Sequence, residues 1–308
     1  MATKLFRHAA LNGAFGAAGT FLAGALLLLA PIRSEARSAE PVLTACPSVG
    51  TQAAQVTKVD EHLDLALSDG RSLHLAGLDP PQATQQSPDL PRRAQEALTA
   101  RVAPGITFIP LSAKPDRWGR IPAFVFVAGN GSGQAQQNAA DILVENGLAR
   151  FMPAPEAHAC RADFLAAEKK ARQAKLGLWH DPFYAIIAAT NRTDFAGKSA
   201  SNVIVEGRII NVSSNAYRTT LAFAPPRDHA FSVTILKRNV AIFERSGLDI
   251  KAPIGRILRV RGLLDLRFGP QIEIATSDAI EVISTEQDQG AMARQGTNGA
   301  APPPSQNP

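Results

Sequence analysis

Two short runs of alternating apolar and polar residues constrain the fold of this chain most strongly. They read LDLAL at residues 63–67 and RSLHLAGL at residues 71–78, and Ser-Asp-Gly joins them. Alternation with a period of two predicts half-buried strands, and the Asp-Gly step predicts a hairpin between them. The second run ends at Asp79-Pro80-Pro81. The sequence therefore predicts a strand that places the Asp79 carboxylate in a rigid turn.

Strand-like segments recur in two parts of the chain, and each part contains helical patterns. In the second part, between residues 203 and 283, six strand-like runs surround the short helical stretch AIFERSG. Three strands, a helix and further strands are the order of a five-stranded Greek-key barrel of the OB type. We therefore expect a mainly β fold with α-helices (α+β), made of two small OB-like β-barrels. In the first part, strands are predicted within 53–78, 106–111 and 121–128, and helices at 91–102, 138–149 and 160–179.

The N-terminal segment has the composition of a secretory signal peptide. Lys4 and Arg7 precede the apolar stretch FLAGALLLLAPI, and small residues follow it. This pattern predicts cleavage near Ala36 or Ala39 and export to the periplasm or the extracellular space. The alternative is an uncleaved anchor, and only then would the membrane be a partner.

Composition also suggests the boundaries of the domains. The stretch AATNRTDFAGKSAS is small and polar, as in linkers, and the end GAAPPPSQNP is of low complexity. Loss of the signal peptide would lower the net charge of +5 by two, which permits a basic patch without predicting one. The predicted organisation is a signal peptide at 1–36, a lead-in at 37–52, the first barrel with its helices at 53–185, a linker at 186–201, the second barrel at 202–285 and a disordered tail at 286–308.

The chain contains two cysteines, Cys46 and Cys160. In an oxidising compartment an even pair of cysteines favours a disulfide, whereas in the cytosol the two would be free thiols. Since the N-terminus predicts export, we expect a Cys46–Cys160 disulfide.

The first unit resembles the thermonuclease (staphylococcal nuclease-like) family, whose fold is an OB barrel with added helices. The resemblance covers residues 53–181 and rests on five motifs in family order: LALSDGRSLHLAGLDPP, DRWGR, IPAFVFV, ILVENGLA and AAEKKARQAKLGLW. The second unit, with RVRGLLDLRFGPQIEI, looks like an OB-type domain appended to some exported members.

The resemblance implies hydrolysis of nucleic-acid phosphodiesters with one calcium ion. In the family, two aspartates and a backbone carbonyl hold the ion, a glutamate helps to activate water, and two arginines hold the phosphate. Calcium prefers hard oxygen ligands, the attacking water needs a base, and the charge that grows on the phosphate needs cations.

Only two of the five functional side chains of the family are present at matching positions. Asp79 matches one metal aspartate, and Arg120 in DRWGR matches one phosphate arginine. The second metal aspartate is replaced by Leu63, the other arginine by His74 and the glutamate by Gln82. Gln cannot take up a proton, and His has no bidentate guanidinium group. These substitutions predict a degraded active site whose calcium site is weak or absent.

Three carboxylates near Leu63 offer an alternative metal site. Asp60, Glu61 or Asp64 could join Asp79 only if the strand shifted its register, which would turn the side chains to the other face. An active calcium-dependent phosphodiesterase that uses Asp79 and Arg120 is therefore the alternative function. The first hypothesis is an exported thermonuclease-like protein that binds nucleic acid or a protein partner in the cell envelope, and an envelope interaction module with no ligand at this site is a third.

The second barrel offers a further candidate interface. Arg259 and Arg261 share one face of a predicted strand because they are two residues apart, and Phe268 follows nearby. Cations beside an aromatic ring suit single-stranded nucleic acid, and a polar outer face is the alternative.

Overall fold

The structure is a computed structural model that describes residues 45–129, 135–225, 230–250 and 254–284. The predicted signal peptide and the predicted tail after residue 285 lie outside these ranges. Within them, no helix has the length and apolar character needed to cross a membrane.

The first barrel is built on a seven-stranded sheet with the order β1-β6-β7-β4-β3-β2, and β8 pairs with β7. Only Gln55 separates β1 from β2, so these two strands are pieces of one bent strand. Because the two pieces lie at opposite ends of the strand order, the sheet curls. β4 and β7 are its parallel pair. The strands of this unit are β1 (Gln52–Ala54), β2 (Val56–Val59), β3 (Leu65–Leu67), β4 (Ser72–Leu75), β5 (Leu78–Asp79), β6 (Ile106–Pro110), β7 (Arg120–Val127), β8 (Gln137–Asn138) and β9 (Arg150–Phe151), of which β5 and β9 pair separately.

Three helices cover this sheet: α1 (Leu90–Val102), α2 (Ala139–Glu145) and α3 (Arg161–Gln173). Apolar residues four positions apart on α1 are buried, because that spacing places them on one face. α2 is shorter than predicted and ends before Gly147, which has φ +65°. A Cβ at Gly147 would lie 2.2 Å from the carbonyl oxygen of Leu176, so only glycine fits there. α3 ends at Gln173, earlier than predicted, and a short 3-10 helix follows at Gly177–His180.

The second barrel repeats the strand order of the first. Its order is β10-β11-β15-β16-β14-β13-β12, and β17 pairs with β15. Again the first strand is bent into two pieces, here β11 and β12, and the parallel pair is β14 with β16. The elements are β10 (Ile187–Ala188), β11 (Asn202–Arg208), β12 (Asn211–Ser214), β13 (Arg218–Ala222), β14 (Ser232–Leu236), α4 (Val240–Arg245), β15 (Ile257–Asp265), β16 (Gln271–Ile274) and β17 (Ile280–Ser284).

The region expected to be a linker, residues 186–201, is folded onto the second barrel. Ile187 and Ala188 form β10, which pairs in parallel with β11. Phe195 is buried in the core of this barrel and stacks on Phe231. A few apolar side chains, such as Phe195, therefore anchor this mostly polar stretch to the barrel. The average composition of the stretch did not reveal this anchoring.

Each barrel has its own hydrophobic core, and the predicted disulfide is present. The first core includes side chains from the sheet and all three helices, and the second includes side chains from the strands, from Phe243 of α4 and from connecting segments such as that of Phe195. Cys46 and Cys160 are bonded, with their Cα atoms 4.5 Å apart. The bond ties the start of the described chain to the residue that precedes α3. The strands and helices of the two barrels confirm the predicted mainly β fold with added helices.

Candidate active site

The first polar cluster of the candidate site joins Asp64, His74 and Arg120. His74 lies on β4, Arg120 begins the parallel strand β7, and Asp64 immediately precedes β3. Asp64 Oδ1 lies 2.7 Å from His74 Nδ1, and Arg120 Nη1 donates to Asp64 Oδ2 at 2.8 Å. Arg120 also donates through Nε and Nη2 to Asp116, at 2.9 and 2.8 Å. The guanidinium is therefore neutralised by two carboxylates.

The pKa of Asp64 reflects this pairing. Burial alone would raise the pKa of the Asp64 carboxyl, but hydrogen bonds and charges from His74 and Arg120 outweigh it and lower the pKa below its ordinary value. The pKa of Asp116 is lowered too, because hydrogen bonds from Arg120 and from the backbone of Trp118 outweigh the effect of burial. Both carboxylates are thus held ionised by groups of the protein itself.

Leu63, at the position of the second metal aspartate, belongs to the hydrophobic core. It is 1% exposed and has φ +64°, a left-handed conformation that is rare for leucine. Asp60 closes the turn before it, since Asp60 Oδ1 accepts hydrogen bonds from the backbone N–H groups of His62 and Asp64, both at 2.9 Å. Glu61 is exposed, 3.7 Å from His62. None of these groups is shown in contact with Asp79.

Asp79 is bound by an arginine and by a residue of the second barrel. Arg150 donates to Asp79 Oδ2 through Nε and Nη2, at 3.0 and 2.6 Å. Asn202 Nδ2 donates to Asp79 Oδ1 at 2.7 Å, and the Asn202 carbonyl accepts from Arg150 Nη2 at 2.8 Å. Both oxygens of Asp79 therefore have donors, and the ion pair with Arg150 is largely shielded from solvent.

Gln82, which stands in place of the family's glutamate, also contacts the second part of the chain. Its side-chain Nε2 lies 3.3 Å from Ser201 Oγ. Its backbone N–H donates to the Tyr184 hydroxyl at 2.8 Å, and that hydroxyl donates to the Gln82 carbonyl at 2.9 Å. The segment 200–202 begins the second barrel, and its Ala200 has φ +57°. The start of the second barrel therefore contacts Gln82, whose side chain stays exposed.

Sequence reasoning placed Asp79, Gln82, His74 and Arg120 near one another but missed their partners. Arg150 reaches Asp79 because β9 pairs with β5, with Asp79 opposite Arg150. Two-residue strands give no periodic signal, so no sequence pattern could have predicted this pairing. The contacts from Ser201 and Asn202, across 119 and 123 positions, depend on how the two barrels pack, and Tyr184 reaches Gln82 across 102 positions.

The residues present do not fit a calcium ion. Calcium takes about 6–8 oxygen ligands, whereas Asp79 is bound to Arg150 and Asn202, and Leu63 offers only an apolar side chain. Across the described ranges, no group of three or more His, Cys, Asp and Glu residues is arranged to hold a metal ion.

The structure also corrects the predicted nucleic-acid track on the second barrel. Arg261 is 3% exposed and forms ion pairs with Glu168 of α3 at 2.9 Å and with Glu281 at 2.6 Å. Arg259 is also mostly shielded and pairs with Glu206 at 2.7 Å. Phe268 is 86% exposed. Arg261 thus fixes the second barrel to the first, and the three residues do not form one exposed surface.

The first barrel is a curled sheet with three covering helices and a polar cluster at its parallel strand pair. This is the architecture expected of a thermonuclease-like domain. Residues 72–181 match the family described as staphylococcal nuclease homologue. These residues are a thermonuclease-like domain of a nuclease-like family, and the match ends before the second barrel. In the comparison with curated proteins, no protein matches the chain.

Proposed function

We propose that this chain is an exported thermonuclease-like protein whose nuclease site is degraded, and that it acts by binding nucleic acid. The observation on which this depends is the state of Asp79. The carboxylate that would hold calcium is bound by Arg150 and by Asn202 of the second barrel. The carboxylate that the family resemblance assigns to calcium thus takes part in a structural contact.

A metal ion would have to displace these partners. The side chains of Arg150 and Asp79 are 6% and 13% exposed, so the pair is nearly buried. Breaking such a pair costs roughly 3–5 kcal/mol, because it leaves an uncompensated charge. Calcium would have to offset this cost without a second aspartate, since Leu63 fills that position.

The groups that would act on water and phosphate are also changed. Gln82 cannot accept a proton, and its side chain points to Ser201. Arg120 has the correct charge, but Asp64 and Asp116 neutralise it. Loss of a general base alone lowers a rate by about 10²–10⁴-fold.

Binding of nucleic acid is favoured by the loop between β6 and β7. Trp118 is 62% exposed, and the guanidinium of Arg117 lies 3.9 Å from its ring centroid. Aromatic rings stack on unpaired bases and cations contact phosphates, so this pair suits a single strand. A nucleic-acid ligand is also compatible with the nuclease-like domain.

Export is favoured by the Cys46–Cys160 disulfide. Disulfides persist in the periplasm and outside the cell, whereas the cytosol keeps thiols reduced. The basic, apolar and small-residue pattern of residues 1–36 agrees with this compartment.

Two assays on the purified protein test this function. Supercoiled plasmid and labelled single-stranded DNA are incubated with calcium or with a chelator, and the same DNA is used in a gel shift. We expect no calcium-dependent cleavage, retention of the single strand at low salt, and loss of retention as salt rises. Trp118→Ala should weaken retention, whereas Leu176→Ala, at another exposed apolar residue, should not.

Each alternative gives a different result. Calcium-dependent cleavage that disappears in Arg120→Ala would contradict the proposal and establish an active phosphodiesterase. Absence of both cleavage and DNA retention would leave a protein partner in the envelope as the ligand.

A further inference from the structure

A cleft of about 790 Å³ lies between the two barrels. One wall is formed by the loop between β6 and β7 together with the short 3-10 helix Pro155–Cys160. The other wall is formed by α4 and by residues 276 and 277, which precede β17. Sites for small molecules commonly have volumes of about 300–1,000 Å³ and often lie where domains meet. The size and position of this cleft are therefore those of a small-molecule site.

Contacts between the barrels hold the two walls in place. Asp278, beside the second wall, has a side chain that is 3% exposed, and its Oδ2 lies 2.8 Å from Nδ1 of His158 in the 3-10 helix. Arg161 Nη2 donates to the Ile280 carbonyl at 2.9 Å, and Arg161 Nε lies 3.6 Å from Asp278 Oδ1. Separation of the walls would leave a buried carboxylate without its partners, which is costly. The cleft is therefore preformed.

The same contact orients the ring of His158. An imidazole nitrogen that lies against a carboxylate carries a proton, so Nδ1 is committed to Asp278. His158 lines the cleft, and its side chain is 67% exposed. No hydrogen bond joins its Nε2 to another residue in the part of the chain that the structure describes. The imidazole thus offers the cleft one polar atom whose orientation is fixed by a buried carboxylate.

Two exposed cations line the cleft from opposite walls. Lys114 belongs to the loop between β6 and β7, and Arg245 ends α4. Neither cation has an ion-pair partner among the described residues, whereas the lining carboxylate of Asp116 is paired with Arg120. Glu156 is the other negative charge on the lining. The unpaired charges of the cleft therefore have a positive excess.

Apolar side chains form much of the remaining lining. The first barrel contributes Leu111, Pro115, Pro122 and Pro155, and α4 contributes Ile242, which is 38% exposed. Contact with an apolar ligand would remove these side chains from water, which is favourable. The lining therefore suits a ligand that combines an apolar body with an anionic group.

We propose that the cleft between the barrels binds a small organic anion. Its apolar body lies against Leu111 and Ile242, and its carboxylate or phosphate group lies near Lys114, Arg245 and His158. The site goes beyond the proposed function, because it uses none of the residues assigned there to nucleic acid.

The test is isothermal titration calorimetry of the purified protein at low salt with four probes: 1-naphthyl phosphate, 1-naphthoate, the neutral 1-naphthol and inorganic phosphate. At least one of the two aromatic anions should bind, and the tighter of them identifies the anionic group. Naphthol should bind about 10-fold more weakly or less, because it cannot form charge-assisted hydrogen bonds. Inorganic phosphate should also bind more weakly, because it has no apolar surface to bury.

Substitutions on both walls locate the site. Lys114→Gln and Arg245→Gln should each weaken binding of the aromatic anion by about 2- to 5-fold, the loss expected for one exposed ion pair. Glu156→Gln should tighten binding, because it removes a negative charge from the lining. Lys169→Gln, at an exposed lysine of α3 outside the cleft, is the matched control and should leave the affinity unchanged.

His158→Gln tests the imidazole without leaving Asp278 unpaired. The glutamine amide still has a donor for the Asp278 carboxylate, so the variant should fold and bind the anion more weakly. Binding of an aromatic anion that is as tight in Lys114→Gln and Arg245→Gln as in the wild type would show that this site is wrong. Equal affinity for naphthol and the anions, or no binding of either anion by the wild type at millimolar concentration, would also overturn it. Retention of single-stranded DNA is measured separately, so these outcomes leave the proposed function standing.

Discussion

The two barrels share one strand order but differ in the chemistry of the same face. In the first barrel this face carries Asp64, His74 and Arg120, with Asp64 in contact with both of the other side chains. Ser72 lies opposite Ala66 and Arg120 in the first barrel, as Ser232 lies opposite Ala222 and Gln271 in the second. By this register, the equivalent positions in the second barrel carry Thr220, Thr234 and Gln271. This fold thus fixes where these side chains stand, and the sequence decides their charge.

The barrels also differ in how open this region is. Asn202 and Ser201 of the second barrel lie against Asp79 and Gln82 of the first, so the Asp79 carboxylate is largely shielded while Gln82 stays exposed. In the second barrel Thr234 of the sheet is also buried, whereas the loop rings of Tyr217 and Phe268 are 80% and 86% exposed.

Replacement of Arg261 by alanine should have the largest effect on stability. The pKa of the Glu168 carboxyl would rise through burial, but the charge and hydrogen bonds of Arg261 outweigh this and lower it. Arg261→Ala would leave Glu168 buried without its main partner, at a cost of about 3–5 kcal/mol. This loss of stability is measured by urea unfolding, monitored with circular dichroism. Arg267→Ala, at an exposed pair, is the control, and an equal midpoint for both variants would show that Arg261 does not join the barrels.

Asp79→Asn should have the second largest effect on stability and no effect on metal binding. The substitution removes the charge that faces Arg150 and places an amide nitrogen where one carboxylate oxygen accepts from Asn202. Hydrogen bonds to charged groups contribute about 1.5–3 kcal/mol, so the free energy of unfolding should fall by about that amount. The melting temperature should fall with it. Thermal unfolding with calcium or with a chelator should coincide for the wild type. A calcium-dependent rise in melting temperature that Asp79→Asn abolishes would show that Asp79 holds a metal ion.

Much of the fold of the first barrel was predictable because its signals are local. The hairpin at Ser-Asp-Gly, the buried spacing of α1 and the end of α2 near Gly147 all follow from patterns within a few residues. The sequence also shows directly that position 63 holds a leucine and no aspartate.

The partners of the site residues were not predictable, because they come from distant segments. The exposed face predicted for Arg259 and Arg261 from their alternation is covered by α3 and Glu281. Period-two alternation separates two faces of a strand, but it does not tell which face another domain will cover. The same limit concealed the contact between Asp79 and Asn202.

Asp141 in the first barrel gives a pH-dependent prediction. Burial, together with the charges of Asp163 and Glu145, raises the pKa of the Asp141 carboxyl to about 7. Since the folded pKa exceeds the unfolded value of 3.8, the free energy of unfolding should fall as pH rises from about 4 to 7 and level off above 7. Asp141→Asn should therefore be stabilising at pH 8 by about 1–2 kcal/mol, a part of the ~4 kcal/mol that the full shift would give.

Stability measured at pH 5 and pH 8 checks this sign. At pH 5 the gain from Asp141→Asn should be smaller, because the wild-type carboxyl is largely protonated when folded. Asp163→Asn, at an exposed neighbour, is the control and should give a smaller gain at pH 8. A gain from Asp141→Asn that is equal at both values of pH would show that the carboxyl is not the cause.

The smallest expected effect is that of restoring the family's residues. The double variant His74→Arg with Gln82→Glu returns the second arginine and the general base to their positions. We expect no calcium-dependent cleavage, because Asp79 stays bound to Arg150 and Asn202 and Leu63 still fills the second metal position. Degradation of plasmid DNA in the presence of calcium measures this cleavage, and an active thermonuclease is the positive control. Cleavage by the double variant would show that Asp79 leaves its partners at little cost and that cleavage does not require an aspartate at position 63.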